Sequence, residues 1–414
     1  MLRRAIELNV AAGRPSGGSA AVALASLLRT FGRTADARSL LEPFRDPEVA
    51  GVDPVIRAEG LAELATALTF AGELDAAAPL FDEALETLER WQAGPALATA
   101  LISYGILRFF QDRVEESAGM MRLALGLAER HELTAVALRA RYNLANTAIT
   151  QDRFADALAE VDAALAIAVE RGDREWELML QQQSLYPLTT LGRWDQAEPL
   201  ARQLTSARTD VVAIWAAGTG VEIAAARGAH DLLDRCRQLA TADHDTTHIH
   251  MRASAAVVLA DHALAELQPD RALEHARPVL DEPAVDIDTL EPAYAVCVQA
   301  AIAIAEPSAI DQLAAHVDAL PPVRATPLLR AGRARLRAAR AQLAGDSAAA
   351  ERHGGEAVDL YQQVGARPLL AQALIEHYDR TGDLAALTEA REIYIQLGAT
   401  ARLAQLEDPS GVAA

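Results

Sequence analysis

A tight turn recurs along this chain about every forty residues, and that interval constrains the fold more than any other feature. Turn-forming residues stand at Gly32, Gly72, Asp112, Asp152, Gly192, Gly228, Gly345 and Gly382, with weaker versions near Leu267 and Ala305. Their successive separations are 40, 40, 40, 40, 36, 39, 38, 40 and 37 residues. Five residues beyond most of them comes a small side chain: Ala37, Ala77, Ser117, Ala157, Ala197, Ala272 and Ala350. A near-constant period of this length marks units that cannot bury an apolar face alone and must stack on their neighbours.

Between turns the apolar residues recur at three- and four-residue steps, the signature of a helix with one buried face. The stretch 138–171 shows the unit best. A turn at Gln151–Arg153 separates a helix carrying Tyr142, Leu144, Ala145 and Ala148 on one side from a helix carrying Phe154, Ala157, Val161, Ala164 and Leu165. Hydrophobic residues make up 51% of the 414-residue chain and aromatics only 4%, so Ala and Leu must form the core, which suits helix against helix and not a sheet.

This stretch resembles the tetratricopeptide repeat, with Tyr142 in place of its Trp, Leu144-Ala145 for its Leu-Gly, and Ala157 and Val161 for its Ala and Phe. The expected fold is an all-α, right-handed α-α superhelix of about ten helical hairpins. The usual repeat is about 34 residues, so the surplus here should lengthen the helices, chiefly the second of each pair. Residues 1–18 should form an N-terminal helix and loop, 19–398 the repeat array, and 399–414 a capping helix with a tail that frays from Asp408. Residues 241–250, a polar cluster, are the one candidate boundary and read better as a loop between repeats.

The formal charge of −20 argues against binding a phosphate backbone, so no direct nucleic-acid partner is expected. No lysine occurs, which excludes a lysine Schiff base and a P-loop lysine from this sequence. Cys236 and Cys297 fit no metal or redox spacing and should be buried thiols. No signal-peptide pattern or uninterrupted apolar run of membrane-spanning length is present, so a cytoplasmic protein without a membrane partner is expected. Nucleophile elbows, H-E-x-x-H and Gly-rich phosphate loops are missing, and paired carboxylates mean little in so acidic a chain. No catalytic residue, resident metal or cofactor is therefore expected.

Three surfaces stand out. The first helices of stacked hairpins line the concave side. There Arg139, Asn143 and Asn146, with Gln183 and Tyr186 in the next repeat, could hold a peptide through amide hydrogen bonds and a guanidinium–carboxylate pair. The resemblance implies ligand-facing roles for Asn143 and Asn146 and a cation at Arg139, but Ser103 and Ile106 in the preceding repeat do not complete the family's carboxylate clamp. Arg330, Arg333, Arg337 and Arg340 form a stripe, with Arg335 off to its side, that could dock an acidic partner or be a solvated face paired with nearby acids. Leu2, Ile6 and Val10 form an apolar stripe that could support self-association or docking onto a separate regulator domain. His244, His248 and His250 make a short cluster without a metal-binding motif.

The last stretch, with Gly365-Ala366, Thr381-Gly-Asp-Leu and Gly398-Ala399, resembles the C-terminal repeats of bacterial signal-transduction ATPases and of LuxR-type regulators of the maltose-regulator kind. Their ATPase and helix-turn-helix parts have no counterpart here. The resemblance implies a non-enzymatic, protein- or peptide-binding scaffold in signalling or transcriptional regulation. The alternatives are a small-molecule-sensing regulatory domain that controls a separate ATPase or transcription factor, and a truncated remnant of a longer regulator.

Overall fold

The computed structural model describes residues 1–11, 17–46, 48, 53–207, 211–243, 249–282 and 285–407. It divides into two compact units, Met1–Thr147 with Ala166–Arg171, and Ala148–Leu165 with Gly172–Ala414. The expected frayed tail, and His244 and His248, lie outside the described residues.

The first unit begins with α1 (Leu2–Ala11), α2 (Ser19–Thr30), α3 (Thr34–Leu41) and a 3-10 turn at Glu42–Arg45. It continues with α4 (Pro54–Phe70), α5 (Leu74–Arg90), α6 (Gly94–Phe110) and α7 (Val114–Arg130). The division between the units runs through α8 (Thr134–Ile149) and α9 (Phe154–Arg171). The second unit proceeds through α10 (Arg174–Thr190), α11 (Trp194–Ala207), α12 (Val211–Arg227), α13 (His230–Asp243), α14 (Ile249–Ala265), α15 (Pro269–Leu280) and α16 (Ile287–Ile304). It ends with α17 (Pro307–Asp318), α18 (Pro327–Leu343), α19 (Ser347–Val364), α20 (Arg367–Thr381), α21 (Leu384–Leu397) and α22 (Thr400–Glu407). The described residues contain no strand, and the fold class is the all-α helical-repeat solenoid. Ten helix–turn–helix pairs, α2 with α3 through α20 with α21, are flanked by α1 and α22.

All ten turn residues have a positive φ, between 57° and 80°. The left-handed backbone reverses the chain and lets the next N–H bond five residues back, as in Arg33 to Leu28 (2.8 Å), Glu73 to Leu68 (2.9 Å) and Arg153 to Ala148 (2.9 Å). The small side chains five residues on, from Ala37 to Ala350, are at most 3% exposed. They are packed out of solvent, so a larger side chain would force overpacking there.

Two expectations about the repeat change. The first helices, from α4 onward, hold 15 to 18 residues. The second helices α11, α13, α15, α17 and α21 hold only 12 to 14. The second helices α5, α7, α9 and α19 hold 17 or 18 residues, as many as their first helices or more, so the extra turns are shared there and lie in the first helices only from α10 to α17 and in α20. The first helices touch one another in succession, as α10, α12, α14, α16 and α18 do, so added turns there are buried on several sides. In α8, the Trp place of the repeat signature falls three residues before Leu144, on Arg141, and Tyr142 is only half-buried.

The second unit curls back on itself. Asp152 in the α8–α9 turn accepts the Leu328 N–H at the start of α18 (2.7 Å). Arg227 Nε, at the end of α12, donates to the Leu397 carbonyl (2.9 Å), and the Thr400 hydroxyl donates to the Arg227 carbonyl (2.9 Å). A side chain at Gly192 would meet Leu397 at 2.8 Å and Arg367 at 3.1 Å. The last hairpin thus returns to the unit's first ones, and α22 packs on α12 as well as α21. It covers the end of the last hairpin and also braces it against α12, which the curvature of successive hairpins brings within its reach.

α16 alone among the described helices is long and apolar enough to cross a membrane, with mean hydropathy 1.3 over 18 residues. It carries Asp288 and Glu291 and packs on α14, α15, α17 and α18 as a core helix.

Candidate functional site: an acid-lined cavity in the second unit

The expected concave surface falls into both units: Arg139, Asn143 and Asn146 belong to the first, Gln183 and Tyr186 to the second. In the first unit, Arg139 is half-buried on α8. Burial is the main cause lowering its pKa; Arg29 lowers it further, and the Glu63 carboxylate opposes the shift. Glu63 itself pairs with Arg29 Nε at 2.8 Å. Asn143 Nδ2 donates to the Arg139 carbonyl (2.7 Å), so this amide is engaged with its own helix. Asn146 is half-buried.

The arginine stripe on α18 faces acids of α17. Arg333 and Arg337 pair with Asp318 at 2.7 and 2.8 Å, and Arg340 with Asp311 at 3.2 Å. Arg330 is half-buried near the charge of Asp152. Arg335, off the stripe, is the inward one. It is 1% exposed and pairs with Glu376 of α20 at 2.6 Å. On α1, Leu2 is half-buried, Ile6 packs into the core of the first hairpins and Val10 is exposed. His250 lies 3.6 Å from Asp286. No metal-holding cluster of His, Cys, Asp or Glu occurs among the described residues.

Gln183 and Tyr186 are buried on α10. Tyr186 stands in the wall between two cavities, of about 760 Å³ with its solvent-filled mouth and about 410 Å³. The larger is walled by first helices from α10 to α20, with Tyr361 from α19 and Arg402 from α22. Leu328, Leu329, Pro368 and Leu369 make much of its surface apolar, and Tyr186, Tyr294 and Tyr361 add aromatic walls. Its acids are Glu222 on α12, Asp261 on α14 and Glu291 on α16.

Glu291 is fully engaged. It accepts from the Tyr186 hydroxyl (2.5 Å) and the Thr326 hydroxyl (2.6 Å). Burial and the neighbouring Asp152 carboxyl push its pKa far up, and burial holds Asp152 at about 6 against the Leu328 N–H that favours its charge. Burial raises Glu222 to about 7, with the Arg402 charge opposing. Burial and Glu222 together hold Asp261 well above the usual carboxylate range. In the smaller cavity burial, then Asp286, raises Asp288 to about 7. Paired carboxylates carried little weight in the sequence. The usable signal was a lone acid inside an otherwise apolar first helix, as in Val221-Glu-Ile-Ala and Val258-Leu-Ala-Asp261.

No family model matches the sequence, and no curated protein matches it. Solved structures that resemble it include the apo form of the quorum sensor NprR from B. thuringiensis, at TM-score 0.48 and 12% identity over 92% of this chain and 97% of that one. NprR in complex with its cognate peptide NprX gives 0.47 and 13% over 92% and 97%. A Rap protein complexed with Competence and Sporulation Factor gives 0.45 and 12% over 94% and 98%.

Proposed function

We propose that this protein is a non-catalytic, tetratricopeptide-like binding module whose second unit takes up a peptide segment of a protein partner. The observation that carries the reading is the larger cavity, a mostly apolar space set among the first helices with a few convergent polar groups. That composition orients a ligand by hydrogen bonds and holds it by apolar burial. The regulatory setting rests on the resemblance of the last repeats. There, Gly365 and Gly398 are left-handed helix stops followed by the buried Ala366 and Ala399, so capping also accounts for the motifs that carry it.

A selection of random peptides on the immobilised full chain tests the reading. Selected peptides should bind the native protein and lose binding to A295W, which places an indole in the cavity, while circular dichroism stays unchanged. Binders indifferent to A295W, or none at all, would overturn it. A second reading is a small-molecule sensor, favoured by the same apolar and tyrosine walls with a few convergent polar groups. A metabolite that raises the melting temperature of wild type but not of A295W would support it.

A further inference from the structure

We propose that the larger cavity is a cation site that takes an alkyl-guanidinium or alkyl-ammonium group between Glu222 and Asp261. The proposal deepens the binding reading above by naming the ligand's chemistry. Glu222 and Asp261 lie 39 residues apart, at corresponding places on successive first helices, and both line the cavity. Unlike Glu291, neither has a hydrogen bond or ion pair among the described residues. Both acids face the cavity half-buried and, among the described residues, without a protein partner, so a cation entering between them finds two free acceptors.

The chain itself marks the chemistry that fits. Arg402 brings a guanidinium to the same wall from α22, yet it donates to Gln405 at 3.3 Å and pairs with neither acid. Its charge lies near enough to draw both carboxyls toward ionisation. An incoming cation would sit closer than Arg402 does, with its alkyl stem against the apolar and tyrosine walls.

The ligand's source is an arginine or lysine side chain of a peptide, or a free polyamine. Calorimetry on the full chain separates the two with three probes: acetyl-Ala-Arg-Ala-amide, the same peptide with citrulline for arginine, and spermidine. Saturable binding of the arginine peptide or of spermidine is expected. It should weaken by about tenfold or more in E222Q/D261N. It should strengthen in R402A, where a competing charge is removed. The citrulline peptide should not bind.

Binding should also release protons near neutral pH, because a cation favours the ionised carboxyls, so the heat will vary with the buffer's ionisation enthalpy and affinity will rise with pH. Spermidine binding more tightly than the arginine peptide would name a polyamine as the source, and the reverse a peptide. Equal binding of the citrulline peptide, indifference to E222Q/D261N in a protein of unchanged helicity, or no saturation by either cation up to about 10 mM would overturn the proposal. Peptides selected without a basic residue and blocked by A295W would sink the cation site and leave peptide binding standing. Cation binding with no selectable peptide would do the opposite.

Discussion

Asp152 holds a turn position filled by glycine at Gly32, Gly72 and Gly192, with φ at 57°. An Asp tolerates this conformation at modest cost, and here its carboxylate caps α18 through the Leu328 N–H. Asp152→Ala should lose the cap and keep the backbone strain, lowering stability by about 2 kcal/mol in urea unfolding. Asp152→Asn keeps an acceptor and removes the repulsion with Glu291. It should lie near wild type around pH 5 and above it around pH 8, where the native Asp152 must ionise beside that acid. Arg335 makes a second residue-scale test. Removing a buried guanidinium strands Glu376, so Arg335→Ala should cost about 3–5 kcal/mol. The sequence set Arg335 apart from the stripe but gave no sign that it points inward, because its partner is 41 residues away on another hairpin.

At the scale of elements, much was legible. A left-handed stop and a small residue five positions later are local requirements, written in the residues that meet them. The expectation that the second helices take the surplus holds at α9 and α19 and fails from α10 to α17, where the second helices are the shorter. Helix ends depend on which neighbours bury the extra turn, and periodicity does not report that. The return of the last hairpin was not legible either, since it accumulates from a small rotation at every repeat. Two glycines separate the local from the accumulated part. Gly345 has φ +76° with open space around it, while Gly192 has φ +73° with Leu397 and Arg367 against it. Gly345→Ala should cost about 1 kcal/mol from the backbone alone, and Gly192→Ala about 1–3 kcal/mol more from overpacking the closure, both read by chemical denaturation. Equal costs would mean that the closure contact is slack.

For the molecule as a whole, the acidic sequence carries a consequence for pH. Burial raises Glu59, Asp152, Glu222, Asp261, Asp288 and Glu291, while arginine partners lower Glu198 and Asp231. A raised carboxyl holds its proton more tightly folded than unfolded. Its contribution is full below the unfolded value near 4 and is lost as pH rises through the folded value, here about 6 to 7 for Asp152, Glu222 and Asp288. The melting temperature should therefore fall between about pH 5 and pH 8, and a saturating cation should restore part of the loss at the upper end.

A string of repeats open at both ends can gain or shed a unit at either terminus during its history and keep its remaining contacts. The second unit has given up that freedom. Its final hairpin is keyed to its earliest ones at Gly192 and Arg227, so inserting or deleting one hairpin would shift every later element out of its berth. Change in the second unit is thereby steered away from the number of repeats and toward the side chains that face the enclosed space.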